Sequence, residues 1–462
     1  MRLKILSSVL LTVAAVSAQN PIVQTCFTTD PAPMVDGDTF YIYTGHDENG
    51  ADFFWMQEWR VYSSKDMVNW TDHGSPLAIE DFSWGDDRAW APQCVARDGK
   101  YYFYVPLHSS LSGGMAIGVA VGDSPTGPFK DALGKPLFDD GSWDNIDPTV
   151  FIDDDGQAWI FWGNPVIRYA KLNRDMISID GDVKTVVQTA EGFGAPGLKE
   201  RKKDAKIGPD GDYKDCYTEG PWIMKRGKKY YLLYAAGGIP EHIAYSMADS
   251  PEGPWKYMGP VMPLQDTGSF TNHCGVADFK GKSYFAYHTG KLPGGGGFGR
   301  SVALEEFRYN PDGTFPTINM TEEGVSPVAT LDPFKRVEAE TMAYSKGVIT
   351  EQNAKTGVYL SGIHNGDWIK LRNVDFGKGG AAEFKASAAS ALRGGVIEVR
   401  LDSVEGPVVA TLPVKGTGGW EEWQTFSTRL AQKVSGVHDL YLLFSGRKGP
   451  RLFNLDWWEF KQ

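Results

Sequence analysis

The chain has 462 residues, with 46 Lys and Arg against 58 Asp and Glu and a formal charge of −12. That acidic balance argues against nucleic acid or an anionic membrane as partner, and the length predicts two or more domains. An aromatic content of 13%, including 15 Trp, leans toward β structure.

In chain order, MRLKILSSVLLTVAAVSA (1–18) carries Arg2 and Lys4, then an apolar run, then Val16-Ser17-Ala18. It reads as a secretory signal peptide cut after Ala18, so the mature protein is expected to be soluble, exported and extracellular. The apolar run is too short to span a bilayer, and no later segment is long enough. Cys26, Cys94, Cys216 and Cys274 allow three pairings if two bridges form. Their separations give no zinc-ligand spacing. Asn69-Trp70-Thr71 and Asn319-Met320-Thr321 are glycosylation sequons.

Five segments pair a Gly-containing turn with an aromatic, β-branched strand: DGDTFYIYTG (36–45), DGKYYFYVPL (98–107), DGQAWIFWGN (155–164), RGKKYYLLYA (226–235) and KGKSYFAYHT (280–289). Each reads as the second half of a hairpin. The strands before them open on TTDPAPMV, AWAPQCVA, NIDPTVFI, YTEGPWIM and NHCGVADF, which places Asp30, Trp90, Asp147, Glu219 and His273 at the strand heads. Successive heads lie roughly 54–72 residues apart, a repeat that predicts a β-propeller of five blades rather than a helical solenoid. In a propeller the innermost strands surround the axis, so the heads should gather at one mouth.

Three of the five heads are acidic. An Asp before Pro is by itself ordinary turn chemistry. Three carboxylates at equivalent positions are harder to dismiss, because together they repel, raise one another's pKa values and cost stability. Hydrolysis of a glycosidic bond needs two such groups. One protonates the leaving oxygen, and the other activates water or attacks directly. A third can keep the acid protonated. Trp90 and Trp222 are candidate walls for a sugar ring. KLPGGGGFGR (291–300) lacks the Lys-Ser/Thr of a phosphate loop and is expected to be a flexible loop at the mouth.

TTDPAP, NIDPTVFIDDDG and YTEGPW resemble, in order, the three acidic motifs of glycoside hydrolase family 43, inverting enzymes on a five-bladed propeller. The resemblance covers about residues 20–325, and the predicted propeller domain is 19–325. It implies Asp30 as general base, Asp147 as modulator and orienter, and Glu219 as general acid. It also implies Trp90 as a pocket wall, Arg300 near the substrate, and His273 on the axis, in some members near a calcium or sodium ion.

A Pro-containing linker (326–335) precedes a run of short alternating strands that predicts a β-sandwich over 336–462. Glu338 and Glu340 would face one side of a strand and, with Asp456, could offer oxygens to calcium. VEAE, HNGDWIKL, TGGWEEW and NLDWWEF resemble a family 6 carbohydrate-binding module. That resemblance implies a jelly roll, a structural calcium at Glu338, Glu340 and Asp456, a stacking Trp420 and a sugar contact from Asn454. Where the family's second aromatic stands, this chain has Gly362, with Tyr359 nearby.

The expected activity is removal of α-L-arabinofuranosyl or β-D-xylosyl units from arabinoxylan or its oligosaccharides by a monomer with no organic cofactor. Its rivals are an endo-acting arabinanase or xylanase of the same fold and a non-catalytic sugar-binding propeller. A retaining fructoside hydrolase is disfavoured, because Thr29-Asp30-Pro31-Ala32 stands where that family opens on Asn-Asp-Pro-Asn.

Overall fold

A computed structural model describes residues 19–197 and 215–462. The expected signal peptide lies outside the described residues. The described chain is all-β, and the α-helix Ala190–Phe193 spans a single turn.

Five antiparallel sheets follow one another up to Phe307. They open with Thr29–Asp36, Gln93–Arg97, Thr149–Ile152, Tyr217–Arg226 and Gly275–Phe279. Each pairs with the aromatic strand read from the repeat: Thr39–Gly45, Lys100–Ser109, Ala158–Trp162, Lys229–Ala236 and Lys282–Thr289. Both faces of these strands are covered, which is why they read as near-continuous apolar and aromatic runs rather than a clean alternation. Trp59, Trp84, Trp162, Tyr104 and Tyr234 are fully buried between sheets. The N-terminal segment completes the edge of the fifth sheet. Ile22 N–H donates to Val302 O and Thr28 N–H to Arg300 O, both at 2.9 Å.

Residues from Val337 onward form two further antiparallel sheets. One runs Ile349–Asn353, Gly357–Ser361, Asn454–Lys461, Ala381–Ala389, Gln424–Val434. The other runs Tyr344–Lys346, Trp368–Asp375, Val437–Ser445, Gly394–Leu401, Val408–Lys415. Leu360, Ile369, Phe384, Ile397, Leu442 and Trp458 fill the core between them.

The C-terminal part is joined to the first sheet by more than a linker. Thr341–Met342 pairs antiparallel with Trp70–Asp72 and extends that sheet. Asn69 is buried at the junction, donating to Asp66 Oδ2 at 2.6 Å and Arg372 O at 2.8 Å while accepting from Arg372 N–H at 2.8 Å. This corrects the reading of Asn69 as a glycan acceptor, since its amide is spent inside the fold. Asn319 is exposed. The four cysteines are free rather than bridged, and Cys94, Cys216 and Cys274 are buried.

Candidate active site

The sequence places Asp30 and Asp147 immediately before prolines, and the backbone there is unusual. Both have left-handed φ, 50° and 58°, a region that Asp visits more readily than most residues. In the fourth sheet the left-handed residue is Gly220, φ 59°, one position after Glu219. The first strand pairs with a shifted register between Thr29 and Ala32, and the fourth sheet shifts on both sides of Glu219. Such bulges re-aim side chains at the ends of strands.

The three carboxyls line one cavity of about 200 Å³, together with Trp90, His273 and Arg300. Phe53, Phe54, Trp143, Asn164 and Thr271 complete much of its wall. Trp90 Nε1 donates to Phe54 O at 2.9 Å, and its ring meets Trp143 edge-on at 5.4 Å. Trp143 is 47% exposed at the rim. Trp222, expected as a wall, is instead 5% exposed and packed in the core between sheets. Alternation explains the correction, because Glu219 opens toward the cavity while Trp222 follows the bulge onto the inter-sheet face.

The glycine-rich loop is packed rather than loose. A Cβ on Gly297 would stand 1.9 Å from Phe270 Cε1, so only glycine lets the backbone pass there. Phe298 packs on Phe54 and Phe270 at 4.9 and 5.2 Å.

Charges are divided unequally within the cavity. Arg300 is held by Asp47, through Nε at 2.9 Å and Nη2 at 2.9 Å, and reaches Asp30 Oδ1 through Nη1 at 3.3 Å. His288 Nδ1 lies 3.3 Å and His273 Nδ1 3.8 Å from the same oxygen. Burial opposes ionisation of Asp30, but Arg300 and the two histidines outweigh it and hold the carboxyl well below the usual range. Burial pushes His273 down to about 4, so its ring is neutral near neutral pH.

Glu219 behaves in the opposite way. Burial and then the charge of Asp30 push it up to about 7, against hydrogen bonds from Asn164 and Glu241. Asn164 Nδ2 donates to Glu219 Oε2 at 2.6 Å. Asp147 accepts from Gly220 N–H at 2.9 Å, and its proton affinity is raised first by burial and then by Glu219. Glu241, 5% exposed, is raised by burial and by Glu219 and accepts from Asn272 N–H at 2.9 Å. The cation in the cavity, Arg300, is committed to Asp47 and Asp30. Asp147, Glu219 and Glu241 therefore keep protons that exposed carboxyls would release. The result is an ionised carboxylate and a protonated carboxylic acid lining one small cavity.

Glu241, Asp47, Asn164 and His288 escaped sequence reasoning, which followed only the heads of first strands. Asp47 and Asn164 follow the second strands of their sheets, His288 ends one, and Glu241 precedes a third strand, His242–Ala248. The hairpins run antiparallel, so the ends of second strands and the starts of third strands meet the first-strand heads. Aligning YTGHD with FWGN and AYHT would have exposed three of the four.

In the C-terminal sandwich the expected sugar cleft is filled. The Arg451 guanidinium lies 4.6 Å from the Trp420 ring centroid. Asn454 is fully buried, with Nδ2 donating to Trp420 O at 2.8 Å and Oδ1 accepting from Arg451 Nε at 2.9 Å. Gly362 is left-handed, φ 62°, where a large side chain would be strained. Tyr359 packs edge-on against Trp423 and is 4% exposed. Trp420 and Asn454, expected as sugar contacts, here serve each other and Arg451.

At the expected calcium ligands, Arg336 supplies the positive charge. Its guanidinium bonds Glu338 at 2.7 and 2.8 Å and reaches Asp456 at 3.3 Å. Glu340 is buried with Oε2 unpartnered, and burial and then Glu338, Asp72 and Asp456 raise its pKa well above the usual range. Three carboxyls with one orphaned oxygen suit a hard cation. Among the described residues no group of three His, Cys, Asp or Glu is gathered as a metal cluster, near His273 or elsewhere.

The profile of glycosyl hydrolases family 43 matches residues 18–315, and that of carbohydrate-binding module family 6 matches residues 338–462. An arabinoxylan arabinofuranohydrolase of Bacillus subtilis is 34% identical over 96% of this chain and 92% of its own. A crystal structure of a family 43 arabinoxylan arabinofuranohydrolase from Bacillus subtilis, in complex with cellotetraose, superposes with a TM-score of 0.82 at 32% identity. It covers 96% of this chain and 98% of that one. A β-xylosidase/α-arabinofuranosidase from a compost metagenome, solved with xylotriose in a calcium-free form, gives 0.56 at 31% identity over 65% of this chain and 97% of that one. Its family-matched domain carries the two opposed carboxyls that sugar hydrolysis needs, and the chain belongs to glycoside hydrolase family 43, with a family 6 carbohydrate-binding module appended.

Proposed function

We propose that the protein removes single α-L-arabinofuranosyl units from arabinoxylan or its oligosaccharides by inverting hydrolysis. The observation that carries this is the pairing of an ionised Asp30 with a protonated Glu219 in one cavity of about 200 Å³. A cavity that small suits one terminal sugar and leaves a polymer main chain outside. A β-D-xylosyl unit presents a similar disposition of reactive groups, and relatives named xylosidase/arabinosidase match the first domain.

In this reading Asp30 accepts a proton from water as the water oxygen bonds to the anomeric carbon. The bond from that carbon to the leaving oxygen breaks, and Glu219 gives its proton to that oxygen. Asp147 and the Gly220 N–H orient Glu219, and Arg300 keeps Asp30 charged. The five sheets close as a five-bladed propeller, a reading supported by residues 20–28 bonding across the edge of the fifth sheet. The chain is exported as a monomer after cleavage at Ala18. Calcium would be held by Glu338, Glu340 and Asp456, adding positive charge where Arg336 alone serves Glu338 and Asp456. The related structure solved in a calcium-free form supports a calcium role in the family.

The test is proton NMR of the first sugar released, together with Glu219→Gln. Inverted product is expected. Glu219→Gln should lose most activity on arabinoxylan and much less on an aryl glycoside whose leaving group needs little protonation. Product of retained configuration would overturn the roles given to Asp30 and its water.

A further inference from the structure

A second, larger opening lies between the first domain and the sandwich. It is a groove of about 550 Å³ with Tyr344 and Trp368 on one wall and Phe27, Asn49 and Pro293 on the other. The Tyr344 and Trp368 rings are stacked, 6.1 Å apart at 28°, and both are partly exposed. Lys346 is the single charged residue in its lining, although the chain as a whole carries 58 acidic residues.

The groove shares loops with the catalytic cavity. Asn49 lies on the segment that brings Phe53 and Phe54 to the cavity, and Pro293 on the one that brings Arg300. Between them, Phe27 lies beside Gly299, where an added Cβ would be 3.4 Å from its ring. An occupant of the groove would therefore run alongside the cavity mouth. The familiar face of the module is filled by Arg451, so the sandwich presents its open aromatic pair on this inner side instead.

We propose that this groove binds the uncharged main chain of the polysaccharide, with Tyr344 and Trp368 stacking on pyranose rings while a side unit enters the catalytic cavity. The inference rests on the arabinoxylan reading above. Aromatic faces suit the apolar faces of sugar rings, and a lining nearly free of charge suits a neutral chain better than an acidic or basic one. The sandwich then acts as one wall of the substrate site, which makes its position against the first domain part of the specificity.

The test compares wild type with Trp368→Ala, Tyr344→Ala and Ile349→Trp, on soluble arabinoxylan and on nitrophenyl arabinofuranoside. Ile349 lines the groove and is 45% exposed, so a larger ring there obstructs the groove without disturbing the core. KM for arabinoxylan should rise about five- to tenfold in each variant, the loss of one stacking face. The kcat/KM for the nitrophenyl compound, which is too short to enter the groove, should stay within about twofold. If the alanine variants fold poorly, Ile349→Trp carries the test alone. Folded variants with unchanged KM for arabinoxylan would overturn the groove and leave the substrate reading standing. A wild type that cleaves the nitrophenyl compound but releases nothing from arabinoxylan would overturn both.

Discussion

Glu241 shows how one residue can govern a reaction it does not perform. Its carboxyl is buried, keeps its proton, and hydrogen-bonds Glu219, which lowers the proton affinity of Glu219 against the larger effects of burial and Asp30. Replacing Glu241 with Gln keeps a donor at that place, and replacing it with Leu removes the donor. Glu219→Gln tests the acid itself, whereas Glu241→Leu tests what tunes it. The sign follows directly: without the donor Glu219 binds its proton more tightly, so the high-pH limb of activity, expected near pH 7 from the value of about 7, moves upward. A hydrogen bond to a charged group is worth about 1.5–3 kcal/mol, so the limb should move by about one pH unit while kcat falls. Glu241→Gln should leave the limb in place. The pH profiles of kcat/KM for both variants check this, and a limb unmoved by Leu would remove Glu241 from the tuning of the acid. The sequence offered Asp30, Asp147 and Glu219 because each heads a repeat. Glu241 stands alone in IPEHIAY, and its importance comes only from the antiparallel return of the chain.

At the scale of the strand, the acidic heads are set by backbone as much as by side chain. Left-handed residues at Asp30, Asp147 and Gly220 mark the same point in three sheets, and such conformations persist only where surrounding structure holds them. Gly220 is the most exacting of the three. An added Cβ would meet His273 Nδ1 at 2.9 Å, and its N–H is the donor to Asp147. Gly220→Ala is expected to cost about 1–2 kcal/mol in backbone strain alone, read as a lower denaturant midpoint, and to depress kcat more than KM by shifting Glu219. An alanine variant with wild-type stability and kcat would mean the strand head is more pliable than described here. Hairpins such as Asp36–Gly45 were legible because turn glycines and aromatic strands announce themselves within ten residues. The filling of the Trp420 face by Arg451 was not legible, because a lone arginine in a surface loop carries no signature of where it folds back. Trp222 misled for the opposite reason: a bulge beside Glu219 turned it inward, and bulges leave no reliable trace in composition.

For the whole molecule, the sequence announced two domains but not how firmly they are joined. Thr341–Met342 adds to the first sheet, Asp72 bonds both Arg60 and Thr350, and Asn69 is buried against Arg372. These partners are some 270–300 residues apart, beyond the reach of any local pattern. The acidic residues Asp72, Glu338 and Glu340 line a shared cavity at this junction. A cation bound to Glu340 would relieve the repulsion there and, by binding only the folded state, would stabilise both domains together. Scanning calorimetry is therefore expected to give a single endotherm for the intact chain instead of the two that loosely tethered domains would show. Chelation of calcium should move that whole endotherm to lower temperature, by an amount that grows with the free calcium of the reference sample. Glu340→Gln should abolish the shift, since it removes the charge that the ion answers. It should also raise the melting temperature in chelator, because a buried carboxyl with an unpartnered oxygen costs stability when no cation is present. Two separated endotherms, or a single one indifferent to chelator, would mean that the junction is held by its hydrogen bonds and paired strands alone.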